Sequence, residues 1–161
     1  GDYFAWGETD TKSRYDRGNY FDTKNSGSSF IKYKNNGGKT TLDPEDDAAY
    51  MNWGSDWRMP TAKEIDELIS DCRWQRVDGE GIAGYYVTGK NGNVMFIPAA
   101  GVHDGSVLLE SGIDGCYWSS SIYEKHSAYA WTLDFGYINL RRLNDDRHQG
   151  LTIRPVYDPK K

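Results

Sequence analysis

YWSSS (Tyr117 to Ser121), SAYAWTLDF (Ser127 to Phe135), YINLRRL (Tyr137 to Leu143), NDDRHQG (Asn144 to Gly150) and GLTIRPV (Gly150 to Val156) fill the last quarter of the chain, and their patterning decides the fold. SAYAWTLDF alternates with the period of a strand, setting Tyr129, Trp131, Leu133 and Phe135 on one face and Ala128, Ala130, Thr132 and Asp134 on the other. After Gly136 the alternation resumes, with Ile138 and Leu140 on one face and Tyr137, Asn139 and Arg141 opposite. NDDRHQG then gathers acid, base and imidazole into one predicted turn before the closing strand. Trp131 is expected to turn inward with Leu133 and count as core. The polar face and the turn beside it are expected to form the working surface.

Composition bounds what this frame belongs to. A chain of 161 residues suits one domain with a single good core. Only 37% of residues are hydrophobic, yet 12 Tyr and 6 Trp supply bulk that disordered chains lack, so the core is expected to be built from rings. The 18 Gly, spread among short apolar runs, favour many turns and short strands. A net charge of -5 with no basic stripe argues against a nucleic-acid backbone as partner. No apolar run reaches the length of a membrane span, so no membrane insertion is expected of this chain. Cys72 and Cys116 permit one disulfide or two lone thiols, and no Cys/His cluster has zinc spacing.

Upstream, GDYFAWGET (Gly1 to Thr9) is an aromatic run ending in a turn, and Lys12 to Lys39 reads as a long surface loop pinned by its aromatics. LDPEDDAAYMNW predicts a helix capped by Asp43, with Pro44 at its first position and Glu45, Asp46 and Asp47 at the positive dipole end. A calcium site is the costlier reading of those acids. Thr61 and Glu64 predict a capping box for a second helix, whose stripe is Ile65, Leu68, Ile69 and Cys72. GYYVTGKNGNVMFIPAAG predicts a hairpin turning at Asn91-Gly92, with Val94 to Ile97 apolar throughout and so expected to be covered on both faces. Gly101 to Gly115 reads as a loop with His103-Asp104-Gly105 at its tip, a solvated turn rather than a catalytic pair. Helices grouped ahead of short antiparallel strands make an α+β arrangement.

GDYFAWGET, DAAYMNWGSDWRMPTAKEIDELI (Asp47 to Ile69), NVMFIPAAG (Asn93 to Gly101), YWSSS, AWTLDF and the R-x-x-G-x-x-I-R-P-V run from Arg147 to Val156 occur together in this order. In that combination the chain resembles the Fibrobacter succinogenes major paralogous domain, a group common in surface proteins of gut Bacteroides. More distantly it is similar to the C-terminal domains of Legionella collagen-like adhesins and to the variable proteins of diversity-generating retroelements. The resemblance implies a C-type-lectin-like fold over residues 1–157, with 158–161 a tail: two helices flanking a small, mostly antiparallel twisted sheet with long loops. Trp57, Pro60, Trp118, Leu133, Phe135, Gly150, Arg154 and Pro155 match framework positions, and Arg147 matches a recurrent arginine that is expected to bond to backbone.

The resemblance also implies a non-catalytic ligand-binding module of a secreted or cell-surface bacterial protein, held at the outer membrane by regions outside this chain. The binding segment, 122–149, would present Tyr123, His126, Thr132, Asp134, Tyr137, Arg141, Leu143, Asp145, Asp146 and His148 to a glycan or a host or bacterial protein. Where relatives carry a run of tyrosines, Arg141, Asp145, Asp146 and His148 shift recognition towards charge. The calcium-lectin motifs EPN or QPD and WND are missing, so no calcium-dependent sugar chelation, and no other metal or cofactor, is expected. The family's strand before GDYFAWGET is also missing here, so the closing strand Thr152 to Val156 is expected to leave an edge open to self-association. Three other readings share these residues: a retroelement-diversified binding face, a structural surface-assembly domain recruiting a neighbour through that edge, and an oxidoreductase like the formylglycine-generating enzymes. The last needs paired redox cysteines, and Gly115 and Tyr117 supply no charge to activate Cys116.

Overall fold

Rings and glycines resolve into short strands joined by turns. The computed structural model describes residues 1–24, 29–79 and 81–159, with Lys24 described through its backbone; residues 25–28 of the long loop and 160–161 of the tail lie outside the described residues. The elements run β1 (Thr23–Lys24), β2 (Ser29–Phe30), α1 (Ala48–Trp53), β3 (Trp57–Arg58), α2 (Ala62–Asp71), β4 (Arg73–Val77), β5 (Gly84–Thr88) and β6 (Val94–Pro98). They continue with β7 (Val102–Asp104), β8 (Val107–Leu109), β9 (Gly115–Ile122), β10 (Tyr129–Phe135), β11 (Leu140–Asp146) and β12 (Val156–Tyr157). The architecture is mixed helix and sheet, strand-dominated, with antiparallel pairing throughout its named sheets.

The spine is the sheet β11-β10-β9. Leu133 lies opposite Tyr117 and Arg142, and Asp134 opposite Cys116 and Arg141, so facing residues share a side. Tyr117, Leu133 and Phe135 join Ile65 of α2 and Tyr85, Val87 and Ile97 of the β4-β5-β6 sheet in one core. Cys116, Trp118, Ile122 and Ala130 join Trp6, Tyr33, Leu42, Met59 and Leu151 in another on the other side. The spine is therefore covered on both faces, which no alternation pattern announces. Gly115 allows part of this closeness, since a Cβ there would stand 2.1 Å from the Phe135 ring.

YWSSS gains its meaning at a register shift. Thr132 pairs with Trp118 while Ala130 pairs with Ile122, so one residue of β10, Trp131, faces three of β9, Ser119 to Ser121. Ser119 Oγ donates to the Trp131 carbonyl at 2.7 Å and accepts from Ser121 N at 3.1 Å, closing the bulge with side chains. The released backbone bonds elsewhere: Ser120 N to the Pro60 carbonyl at 2.7 Å and Leu42 N to the Ser120 carbonyl at 2.9 Å. Ser121 Oγ accepts from Ala62 N at the start of α2.

Several expectations are corrected. The capping box of α2 forms as read, Glu64 N to Thr61 Oγ1 and Thr61 N to Glu64 Oε2. The first helix does not begin at Asp43: Pro44–Asp46 makes a single 3-10 turn, and extended Asp47 caps α1 instead. Asp47 takes the amides of Ala49, Tyr50 and Met59, while Asp43 pairs with Lys32 and Lys39. With six residues and Met51 and Trp53 exposed, α1 packs mainly on β3 and reaches the core beside Trp118 through Ala49, while the longer α2 lies against the spine sheet. β6 is not covered on both faces along its length, with Ile97 buried but Val94 58% exposed, because it is an edge strand of the β4-β5-β6 sheet. Gly101 to Gly115 is no plain loop but contains the β7–β8 hairpin.

The closing segment has partners. Phe4 and Leu151 exchange both backbone bonds, Trp118 N donates to the Thr152 carbonyl, and Val156 and Tyr157 pair with Arg58 and Trp57. The aromatic run GDYFAW thus pairs with the residue before the closing segment, Leu151, while Thr152 is held by Trp118 and Val156 and Tyr157 by β3. Trp6 and Trp118 lock the arrangement crosswise, Trp6 Nε1 to the Ser119 carbonyl and Trp118 Nε1 to the Phe4 carbonyl, both at 2.8 Å. Of the framework positions, Arg154 is exposed. Both cysteines are free thiols.

Candidate functional site

The structure separates the ten residues expected to form one site into three groups along the β10–β11 hairpin. Tyr137 sits in the turn at one end and His148 beyond the other, separated by the seven residues of β11. At the rise of a strand that is roughly 20 Å.

At the tip, Tyr137, Ile138 and Asn139 form a turn rather than a strand, leaving Ile138 93% exposed. The Arg76 guanidinium lies 4.3 Å from the Tyr137 ring centre and donates to the Gly112 and Ile113 carbonyls. Arg141 Nε donates to Asp134 Oδ1 at 3.2 Å. Burial pushes the Asp134 carboxyl up, against the opposing pull of Arg141. In the middle, Thr132 is fully buried and presents nothing, because its face of the spine is a core face. Leu143 lies beside it, partly covered. Asp145 points inward: Cys116 Sγ donates to its Oδ2 at 3.0 Å, and Thr132 Oγ1 stands 3.4 Å from the same oxygen. Burial, then the Asp145 charge, pushes the Cys116 thiol up, away from the thiolate that nucleophilic chemistry needs.

The base of the hairpin is where residues converge. His126, Asp146 and His148 line a cleft of about 230 Å³ whose other wall is the N-terminal loop, through Arg17, Thr23 and Phe30. Arg17 stands on a 3-10 turn, Arg17–Asn19, capped by the Asp16 carboxylate, which accepts from the Gly18 and Asn19 amides. It reaches across to donate from Nη2 to Asp146 Oδ1 at 2.8 Å. His148 Nδ1 lies 3.9 Å from that oxygen. Burial is the main influence on His148 and pushes its pKa down, so at neutral pH the imidazole offers one donor and one acceptor.

The floor is immobilised by Arg147. Its guanidinium donates to the Tyr20 hydroxyl, to the Tyr33 and Ser127 carbonyls and to the Asp22 carboxylate, and it lies 4.6 Å from the Trp6 ring centre and 4.5 Å from that of Phe30. Asp22 also receives the amides of Ile31, Lys32 and Tyr33. The aromatics of the long loop are thus walls of a box around one arginine, and boxing it brings the loop against residues more than a hundred positions later. The bonds to the Tyr33 and Ser127 carbonyls agree with the backbone bonding expected of Arg147, whereas its Asp22 partner and the contributions of Arg17, Thr23 and Phe30 lie outside the expected segment.

Trp131 is the other correction. It is only partly buried, because the inner core ends at Leu133 and the strand continues past it. Tyr123 meets its ring edge-on at 4.7 Å, the Arg142 guanidinium lies 4.1 Å from its ring centre, and its Nε1 donates to Glu124 Oε2 at 2.8 Å. Tyr129, two residues back on the same face, contacts the His126 ring at 5.0 Å and lies opposite Asp146 in the register.

Among the described residues no group of three or more His, Cys, Asp and Glu is placed to hold a metal ion, and no helix is long and apolar enough to cross a membrane. Fold and site together define a strand-rich α+β domain carrying a polar and aromatic cleft beside its β10–β11 hairpin. The chain belongs to the family described as domain of unknown function DUF8237, whose model matches residues 74–156, a little over half of its length. That match runs from the second residue of β4 to the first of β12 and includes His126, Asp146 and His148, while Arg17, Thr23 and Phe30 fall before it. No curated protein and no solved structure gives a match.

Proposed function

We propose that this chain is a non-catalytic recognition domain that binds a saccharide in the cleft at the base of the β10–β11 hairpin. The observation that carries this reading is the meeting of Arg17, Thr23, Phe30, His126, Asp146 and His148 around one small cleft above the fixed Arg147 floor. A volume near 230 Å³ is below the usual range of small-molecule pockets and suits one sugar ring. Carboxylate, guanidinium, hydroxyl and neutral imidazole together supply both donors and acceptors to hydroxyl groups, and Phe30 supplies a ring face. The walls are held before any ligand arrives, which lowers the ordering cost of binding. A thiol pushed up by burial and bonded to a carboxylate supports a role without catalysis for Cys116. In this reading the fold is the C-type-lectin-like framework its motifs resemble, and the parent protein is bacterial and displayed at the cell surface or secreted.

The test is titration calorimetry of the purified chain against mono- and oligosaccharides of glucose, xylose, mannose and galactose, with Asp146→Ala and Arg17→Ala beside the wild type. Binding by the wild type and at least tenfold weaker binding by Asp146→Ala, at unchanged melting temperature, is the expected result. Binding of no saccharide, or equal binding by both variants, overturns the reading; capture of a protein ligand sensitive to the same substitutions would replace it.

A further inference from the structure

The cleft does not end at Asp146. His126 lines it and also touches Tyr129, which stands opposite Asp146 and shares its strand face with Trp131. Trp131 in turn faces Asn144 across the register, lies beside Arg142 and bonds to Glu124. Two partly exposed aromatic rings, about 7 Å apart as alternate residues of one strand, thus continue the cleft as a strip. Its neighbours are planar polar side chains: Glu124, Arg142, which pairs with Asp66, and Asn144. Protein-binding hot spots also favour Trp, Tyr and Arg, but set them in a desolvated centre poor in carboxylates. Trp131, by contrast, is only partly buried and bonds directly to the Glu124 carboxylate. Here the exposed aliphatic residue of the same hairpin, Ile138, is at the far tip. Rings separated by polar planes along a line match a ligand that repeats along a line and carries hydroxyls at its edges.

We infer that Tyr129 and Trp131 form a second subsite, so that the ligand is a linear oligosaccharide whose terminal unit enters the cleft while following units lie along the strip. This rests on the saccharide reading above and adds the chain length and direction of the ligand. Glu124 and Arg142 fix the indole of Trp131 before binding, so the stacking contact does not have to order a free ring.

The experiment is calorimetry with gluco-, xylo-, manno- and galacto-oligosaccharides of one to six units against wild type, Trp131→Ala, Tyr129→Ala and Asp146→Ala. The wild type should gain about tenfold in affinity between one unit and four, the size of an aromatic contact or two. Trp131→Ala should abolish that gain while keeping the single-unit affinity and the melting temperature. Tyr129→Ala, read as the ratio of four-unit to single-unit affinity because Tyr129 touches His126 of the cleft, tests the same gain should Trp131→Ala prove unstable. Affinity independent of length, or a length gain retained in both aromatic variants, overturns the second subsite and leaves the cleft standing. Single-unit binding unaffected by Asp146→Ala removes the cleft reading, and the inference with it; binding of no saccharide removes both.

Discussion

Replacing Arg147 by methionine keeps most of the side chain's volume and removes its charge and donors. Asp22 is 2% exposed, so its carboxylate would stay buried without that cation, keeping, among the described residues, the amides of Ile31, Lys32 and Tyr33. Breaking a buried pair from one side costs about 3–5 kcal/mol. The Tyr33 and Ser127 carbonyls lose a donor as well, each a loss on the order of 1 kcal/mol that is not fully additive. Arg147→Met is therefore expected to destabilise the chain by about 4 kcal/mol, a large share of the roughly 5–15 kcal/mol of a typical domain. Urea unfolding followed by tryptophan fluorescence should show a lower midpoint at unchanged slope. The discriminating measurement is the double-mutant cycle with Asp22→Asn. Once the buried charge is removed too, the pair should cost at least about 1.5 kcal/mol less than the sum of the single variants. Strict additivity, or an Arg147→Met cost below about 1 kcal/mol, would refute the view that this ion pair holds the N-terminal loop against the hairpin.

Three further outcomes follow from single contacts. At Gly150 an added Cβ would meet three atoms of the Tyr15 ring at 2.9 Å, so Gly150→Ala should cost about 1–3 kcal/mol by overpacking, read as a lower melting temperature. The Arg58 guanidinium holds the Glu64 carboxyl at about 2, below its ordinary 4.5; the stability this gives is complete above about 4.5 and is lost as pH falls towards 2. Glu64→Gln should flatten the stability–pH profile in that window. Burial holds His148 below its ordinary 6.5, so its neutral form contributes stability that is present above 6.5 and is lost as pH falls through the lowered value. His148→Gln should shallow the decline below pH 6.5, and an unchanged profile would show that the imidazole is solvated.

What the sequence made legible was local. The Thr61–Glu64 box and the strand alternation of Tyr129 to Phe135 each depend on residues within a few positions of one another, and each is present. Alternation separates the two faces of a strand but carries no label for which face meets water. In a sheet covered on both sides the label changes along the strand: Thr132 is buried while its neighbour Trp131, on the nominally apolar face, comes to the surface where the inner core stops. The candidate cleft was half legible for the same reason. His126, Asp146 and His148 come from one hairpin, but their opposite wall enters through contacts such as Arg17 to Asp146, 129 positions apart, and Arg147 to Asp22, 125 apart. One signal for that wall was present. A Gly-, Asn-, Ser- and Lys-rich loop has no reason to carry Tyr20, Phe30 and Tyr33 unless it packs on something, and an arginine with five donors beside an apolar strand needs acceptors and rings. Each demand is unanswered within its own segment, and pairing the two would have placed the loop over the hairpin. The position of the cleft follows from that pairing: it lies where Arg17, Thr23 and Phe30, brought in by the packing on Arg147, face Asp146 and His148.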